Sequence, residues 1–308
     1  MRRSVPEGDD MTLSFAVYQH QAKETDQKPE NADDGLVIAL LGLVGEAGSL
    51  LTEYKKRLRD GDAHRGFKSQ VAEELGDLLW YLATIATRSG LSLEEVAQKN
   101  LEKTRTRWLL PDRRAPLFDE SRSVAEQLPR RFDYRYEYRE IEGKRKVVLI
   151  DEQGEFLGDP LTDNAYEDDG YRFHDVLHLA HATVLGWSPV FRKLLGRKRK
   201  SNDDVDHVDE VEDGARAQIA EELVAAAAYD YASRHDYLAV EHVDWDLLRL
   251  IKRITARLEV RVRTEAEWEE AILLAFKVWR DIRRYDGGIL KGDLAARTLE
   301  VVPFTPAP

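Results

Sequence analysis

The chain has 308 residues, enough for two domains of ordinary size, each with its own core. Its net charge of −12 disfavours a grip on nucleic acid, whose backbone needs a basic surface, and leaves free nucleotides open as ligands. The absence of cysteine excludes disulfides and thiolate metal sites; no apolar run is expected to reach bilayer length, so the reading is a cytoplasmic protein with no membrane partner.

Taken in chain order, residues 1–10 are expected to be disordered, and the fold to begin at MTLSFAVYQHQAKET, an amphipathic helix. After the break QKPENADD, GLVIALLGLVGEAGSLLTEYKKRLRD reads as a long helix, apolar at first and basic at its end. The GDAHRG loop leads into a third helix through VAEELGDLLWYLATIA. SGLSLEEVAQKNLEKTRTRW gives a fourth, with Ser92 as N-cap and Glu95 at the capping-box position. Residues 11–108 are thus predicted to form a four-helix unit. Residues 109–130 carry three prolines and scattered charge and read as a linker.

From 131 to 158 aromatic and charged residues alternate before VVLI, which predicts two or three short antiparallel strands. Helices return from Tyr171 and fill the rest of a C-terminal domain over 131–308. Within it, GRKRKSNDDVDHVDEVEDG reads as a charged surface loop. The class is mainly α: a four-helix unit, then a second helical domain with a small antiparallel β element. QVAEELGDLLWYLA at 70–83 also aligns with QIAEELVAAAAYDYA at 218–232, which raises a degenerate second copy of the first unit.

Asp77 stands in the middle of an otherwise apolar helix, where a carboxylate is costly unless a cation or hydrogen-bond donors meet it. Glu74 lies three residues earlier, on the same helix face. Glu46 sits among glycines and apolar residues on the preceding helix, so antiparallel packing across the loop makes the three acids converge. Their repulsion is relieved by proton sharing or by a divalent cation, and hard oxygen donors suit Mg2+ or Mn2+. A pairing of Asp77 with Arg or Lys from another helix is the competing reading.

LGLVGEAGSLLTEYKK, VAEELGDLLWYLATIA and LSLEEVAQKNLEKTRTRW, in that order, resemble the MazG-like branch of the all-α nucleoside triphosphate pyrophosphohydrolases, whose signature is ExxE followed by ExxD on consecutive helices. The resemblance covers residues 11–108. It implies that Glu46, Glu74 and Asp77 are catalytic and hold Mg2+, which positions a water against the α-phosphate of a nucleotide. The family's second acid is replaced by Ser49, and Glu53 or Glu73 is expected to assist. Asn100 and Lys103 resemble the family's phosphate-contacting residues, whereas Arg107, at the same helical spacing, reads as part of an exposed face. Trp80, Tyr81 and Tyr18 suit either base stacking or a core.

In YRFHDVLHLAHA, His174 and His178 are spaced i, i+4, with Asp175 beside them and His181 within one more turn. His174, Asp175, His178 and Glu222 form a candidate site for a transition metal; polar contacts at a domain interface are the alternative. The leading functional expectation is a metal-dependent pyrophosphohydrolase that cleaves an NTP or dNTP to NMP and pyrophosphate, acting as a homo-oligomer or an intramolecular pseudo-dimer. A nucleotide sensor with a degenerate site, and a hydrolase whose chemistry lies at His174, Asp175 and His178, are the alternatives.

Overall fold

A computed structural model describes residues 12–27, 34–111, 115–199, 211–234 and 240–304. The expected disordered start at 1–10 and the middle of the charged loop, 200–210, lie outside the described residues. The chain divides into two compact units, Met1–Arg105 and Thr106–Pro308.

In the first unit, α1 (Phe15–Thr25) begins where the Ser14 hydroxyl accepts the Val17 N–H. Helix α2 (Gly35–Asp60) turns back through a short loop into α3 (Phe67–Arg88), and the two pack antiparallel. Gly42 permits this approach, since a Cβ there would fall 2.2 Å from the Tyr81 ring. The small core comprises Ala22, Ala83, Ala86 and Leu93, with Tyr18, Leu79 and Trp80 against it. Trp80 belongs to this packing and donates its indole N–H to Thr25 at 2.7 Å. Helix α4 (Leu93–Trp108) docks by its first turn: Leu93 is buried and its N–H donates to Gln19, while Ser92 accepts the Glu95 N–H.

Much of the apolar surface of α2 stays open. Val37, Leu41, Val44, Leu51 and Leu58 are each more than half exposed, and their spacings of four, three, seven and seven residues draw one stripe along the helix. By length and composition Gly35–Ala63 can cross a membrane, contrary to the expectation from sequence, because Glu46 is the lone charge between Gly35 and Thr52. Its partner helix argues against a bilayer there, since α3 brings Glu74 and Asp77 opposite its middle.

The second unit is built on a four-stranded antiparallel sheet, ordered β2-β1-β3-β4, from β1 (Arg131–Ile141), β2 (Lys144–Ile150), β3 (Gly288–Asp293) and β4 (Thr298–Val302). Phe132, Tyr134 and Tyr136 alternate inward along β1 as its pattern predicts. Glu142 and Gly143 both take positive φ in the two-residue β1–β2 turn, the geometry that matches the twist of the strands. The terminal hairpin β3–β4 corrects the expectation of helix to the end. Its glycines hide the strand signal: Gly292 lies opposite Phe132, whose ring sits 2.1 Å from where a Cβ would be. Around the sheet lie α5 (Asp175–Ala180), α6 (Pro189–Leu194), α7 (Ala215–Arg234), α8 (Trp245–Ile254) and α9 (Glu265–Tyr285), the last opened by a capping box of Thr264 and Glu267.

Two further expectations need correction. Within the expected linker at 109–130, the described residues 115–130 belong to the second unit, where Asp119 and Leu128 are fully buried. Arg107 is not on an exposed face: it donates to Glu269 at 3.0 Å and to the Val243 carbonyl at 2.9 Å, partners too distant in sequence for helix periodicity to reveal. Charge is a structural material throughout this unit. Asp119 accepts from Arg192 at 2.6 Å and from the Leu128 N–H at 2.7 Å, and Arg130 pairs with it at 2.8 Å. Arg199 and Asp213, at the described ends of the charged loop, form a buried pair rather than solvated surface.

Burial opposes ionisation of Asp119, but Arg130, the Leu128 N–H and Arg192 outweigh it and hold the carboxyl below the ordinary aspartate value. Removing one member of such a group strands its partner's charge. Asp119→Ala is expected to destabilise the second unit by about 3–5 kcal/mol, read by denaturant unfolding through the fluorescence of Trp187 and Trp268. An unchanged midpoint would refute this account of the buried charges.

Candidate functional site

The α2–α3 hairpin carries Glu46 at the middle of one helix and Glu74 with Asp77 at the middle of the other. One carboxylate oxygen from each lies within 4.8 Å of the other two. Glu46 and Glu74 are half-buried and Asp77 is exposed, so the group opens to solvent. Desolvation first, then the charge of Glu46 and a hydrogen bond with it, raise the Glu74 carboxyl above the ordinary glutamate value; Asp77 and Glu73 add to the effect. Tyr18 is raised as well, by partial burial and by the Asp77 charge. A Cβ at Gly45, Gly48 or Gly76 would meet nothing within 4 Å, so these glycines leave open space beside the acids.

Glu53 and Glu73, also expected here, are not part of this group of three. Glu53 is buried with both oxygens engaged, one by Lys56 at 2.5 Å and the other by His64 Nε2 at 2.9 Å. It lies two turns beyond Glu46, about 10 Å along the helix, and the Lys56 ammonium, with His64, holds its carboxyl below the ordinary value. Glu73 is exposed, one residue round the helix from the face that Glu74 shares with Asp77. Asn100 and Lys103 are exposed on α4, beyond its docked first turn. Tyr81 packs over Gly42 and edge-on to Trp80, with ring centroids 5.1 Å apart.

A second group lies in the C-terminal unit. His174, His178 and Glu222 bring one ligand atom each within 4.8 Å of one another, and so do His178, His181 and Glu221. Burial disfavours the His178 imidazolium, but Glu221, helped by Glu222 and Asp175, lifts it to about 10. The same pairing brings Glu221 down to about 2 against its burial. His181 is lowered, chiefly by burial. Glu221 was not singled out from sequence, although a signal exists: it continues the buried stripe of Ala217, Ala220, Val224 and Ala228 on α7, where a carboxylate needs a partner.

A model of the MazG C-terminal domain matches residues 113–305, and one of the MazG nucleotide pyrophosphohydrolase domain matches residues 39–108. The second half matches a model of its own, and it carries a sheet that the described residues of the first unit lack, so the alignment of 70–83 with 218–232 gains no support as a duplication. The chain is also similar to the Gene 37 protein of Mycobacterium phage L5, 37% identical over 97 residues, which is 30% of this chain and 85% of that protein. No solved structure gives a significant match.

A raised carboxyl makes the folded state hold a proton more tightly than the unfolded state. Stability from Glu74 is therefore present at low pH and is lost as pH rises through its folded pKa. In chelator-treated protein the first unit should melt at lower temperature as pH rises across that range, and Glu74→Gln should flatten the dependence. Differential scanning fluorimetry over a pH series checks it; an identical slope in the variant would show that the three acids do not repel.

Proposed function

The chain belongs to the MazG family, with a MazG nucleotide pyrophosphohydrolase domain followed by a MazG C-terminal domain, and from that premise we propose that it hydrolyses a nucleoside or deoxynucleoside triphosphate to the monophosphate and pyrophosphate with Mg2+ or Mn2+. The observation that carries this reading is the meeting of Glu46, Glu74 and Asp77 at one open spot on α2 and α3. Three acid oxygens that repel one another are a donor set suited to a hard divalent ion. When bound, such an ion neutralises phosphate charge and makes a coordinated water more acidic.

Glu46, Glu74 and Asp77 are the ligands in this reading, and the half-burial of the first two fixes their position. Asn100 and Lys103 serve as phosphate contacts from α4. Neither Glu53 nor Glu73 supplies the place of the absent acid, so the site works with three carboxylates and Ser49. The exposed stripe on α2 supports a homodimer, in which a second copy covers Leu41, Val44 and Leu51 with a helix of its own; Gly48, on the same line, allows close approach. Ser49 also favours a second reading, a nucleotide sensor that binds without turnover.

Purified protein with Mg2+ or Mn2+ is expected to release pyrophosphate and a monophosphate from at least one member of a panel of NTPs and dNTPs. Glu46→Gln and Asp77→Asn should lower the rate by about 100-fold or more, and Ser49→Glu should tighten Mg2+ binding. Nucleotide-induced thermal stabilisation without any product would establish the sensor instead. Leu51→Glu should shift the protein from dimer to monomer in light scattering; unchanged mass would remove the homodimer from this account.

A further inference from the structure

The HDVLH segment plays no part in the reaction proposed for the first unit, yet its surroundings are organised around it. His174 Nδ1 lies 3.0 Å from the Tyr171 carbonyl. A carbonyl only accepts, so Nδ1 carries the proton and Nε2 presents its lone pair. The Tyr171 ring stacks on His174 at 4.4 Å, with the planes 4° apart, and fixes the imidazole in that orientation.

His178 is buried, and neither of its ring nitrogens makes a hydrogen bond of acceptable geometry. Carboxylates are nevertheless close on both sides: Nδ1 is 3.1 Å from Glu221 Oε1, and Nε2 is 3.5 Å from Glu222 Oε2. A buried polar side chain between two carboxylates, aligned with neither, points to a missing partner. Glu221 is not free to serve as a metal ligand. Its Oε2 accepts the Val190 N–H at 2.9 Å and its Oε1 lies 3.2 Å from His181 Nδ1, both inside the core. At 3.1 Å from His178 Nδ1 it is close enough to orient a ligating imidazole through the nitrogen away from the metal once the ring aligns with it.

Glu222 differs from Glu221 in being half exposed. With His174 and Asp175 it lines an open cleft of about 400 Å³, so one side of the group is accessible. The helix bearing the histidines widens into a π turn over His181–Leu185, a distortion found often at functional sites. Two histidines at i, i+4 with an acid next to the first, and a second carboxylate from another helix, form a donor set suited to a softer ion than the oxygen-only group of the first unit.

We propose that His174, His178 and Glu222 bind a divalent transition metal ion of the Zn2+ class, with Glu221 orienting His178, Asp175 beside the ion, and the open coordination positions facing the cleft. The second unit thereby has a metal centre of its own, distinct in ligand chemistry from Glu46, Glu74 and Asp77.

The test uses untagged, full-length, chelator-treated protein carrying Glu46→Gln, which weakens metal binding at the first unit. Titration with Co2+ should give a saturable visible absorption of imidazole-bound cobalt, displaced by Zn2+. Adding His174→Ala or Glu222→Gln should weaken binding at least tenfold, and Glu221→Gln by about 10–100-fold, with unchanged far-ultraviolet circular dichroism. Because Glu222 is half exposed, Glu222→Gln decides the matter even if His174→Ala fails to fold. The proposal is overturned if no cobalt absorption develops, or if it persists at unchanged affinity in Glu222→Gln.

Discussion

Three carboxylates held within 4.8 Å of one another are the constraint on which the first unit turns. Like charges at that range disfavour the arrangement, and only the α2–α3 hairpin holds them together. The hairpin in turn depends on small residues where the helices come closest. Gly42 admits Tyr81, and Gly35 accommodates the Arg88 guanidinium, which is tied to Asp26 at 2.5 Å. Sequence chemistry thus sets an inter-helix distance, and the distance sets an electrostatic conflict, which the proposed divalent cation would relieve.

The second unit treats charge in the opposite way. Asp119, Arg192, Asp213 and Arg199 are buried and answer one another inside the protein, with the Leu128 N–H also donating to Asp119. Such groups hold loop segments in place, even though Asp119 Oδ1 and Arg192 Nε make ion pairs without aligned hydrogen bonds. His178 lies between the two regimes. It is buried like the structural ions, but its carboxylate neighbours Glu221 and Glu222 approach without aligned hydrogen bonds, and one of them opens to a cleft. Access to a cleft through the half-exposed Glu222 is what separates the histidine group from the structural ions in this molecule.

How much of this was legible in the sequence follows the range of the interactions involved. The helices around Glu46, Glu74 and Asp77 were readable because their signals are local: periodicity, the Ser92 cap, and acids three residues apart on one face. Packing of consecutive helices across a short loop then brought Glu46 to the other two. Glu53 was misjudged because its partners, Lys56 and His64, matter more than the face it shares with Glu46. Arg107 and residues 115–130 were misread for a related reason, since their partners come from far along the chain. The terminal strands were obscured by Gly288 and Gly292, which weaken the strand pattern while serving the sheet's geometry. Glu221 was overlooked beside Glu222, although only the former lies on the buried stripe of α7.

The most direct measurement of the central claim, attack of water at the α-phosphorus beside the three acids, is hydrolysis of the preferred triphosphate in oxygen-18 water with mass analysis of both products. The account predicts the label in the nucleoside monophosphate and none in pyrophosphate, with turnover lost in Glu46→Gln. Label in pyrophosphate or orthophosphate, or turnover that survives that substitution, would contradict it.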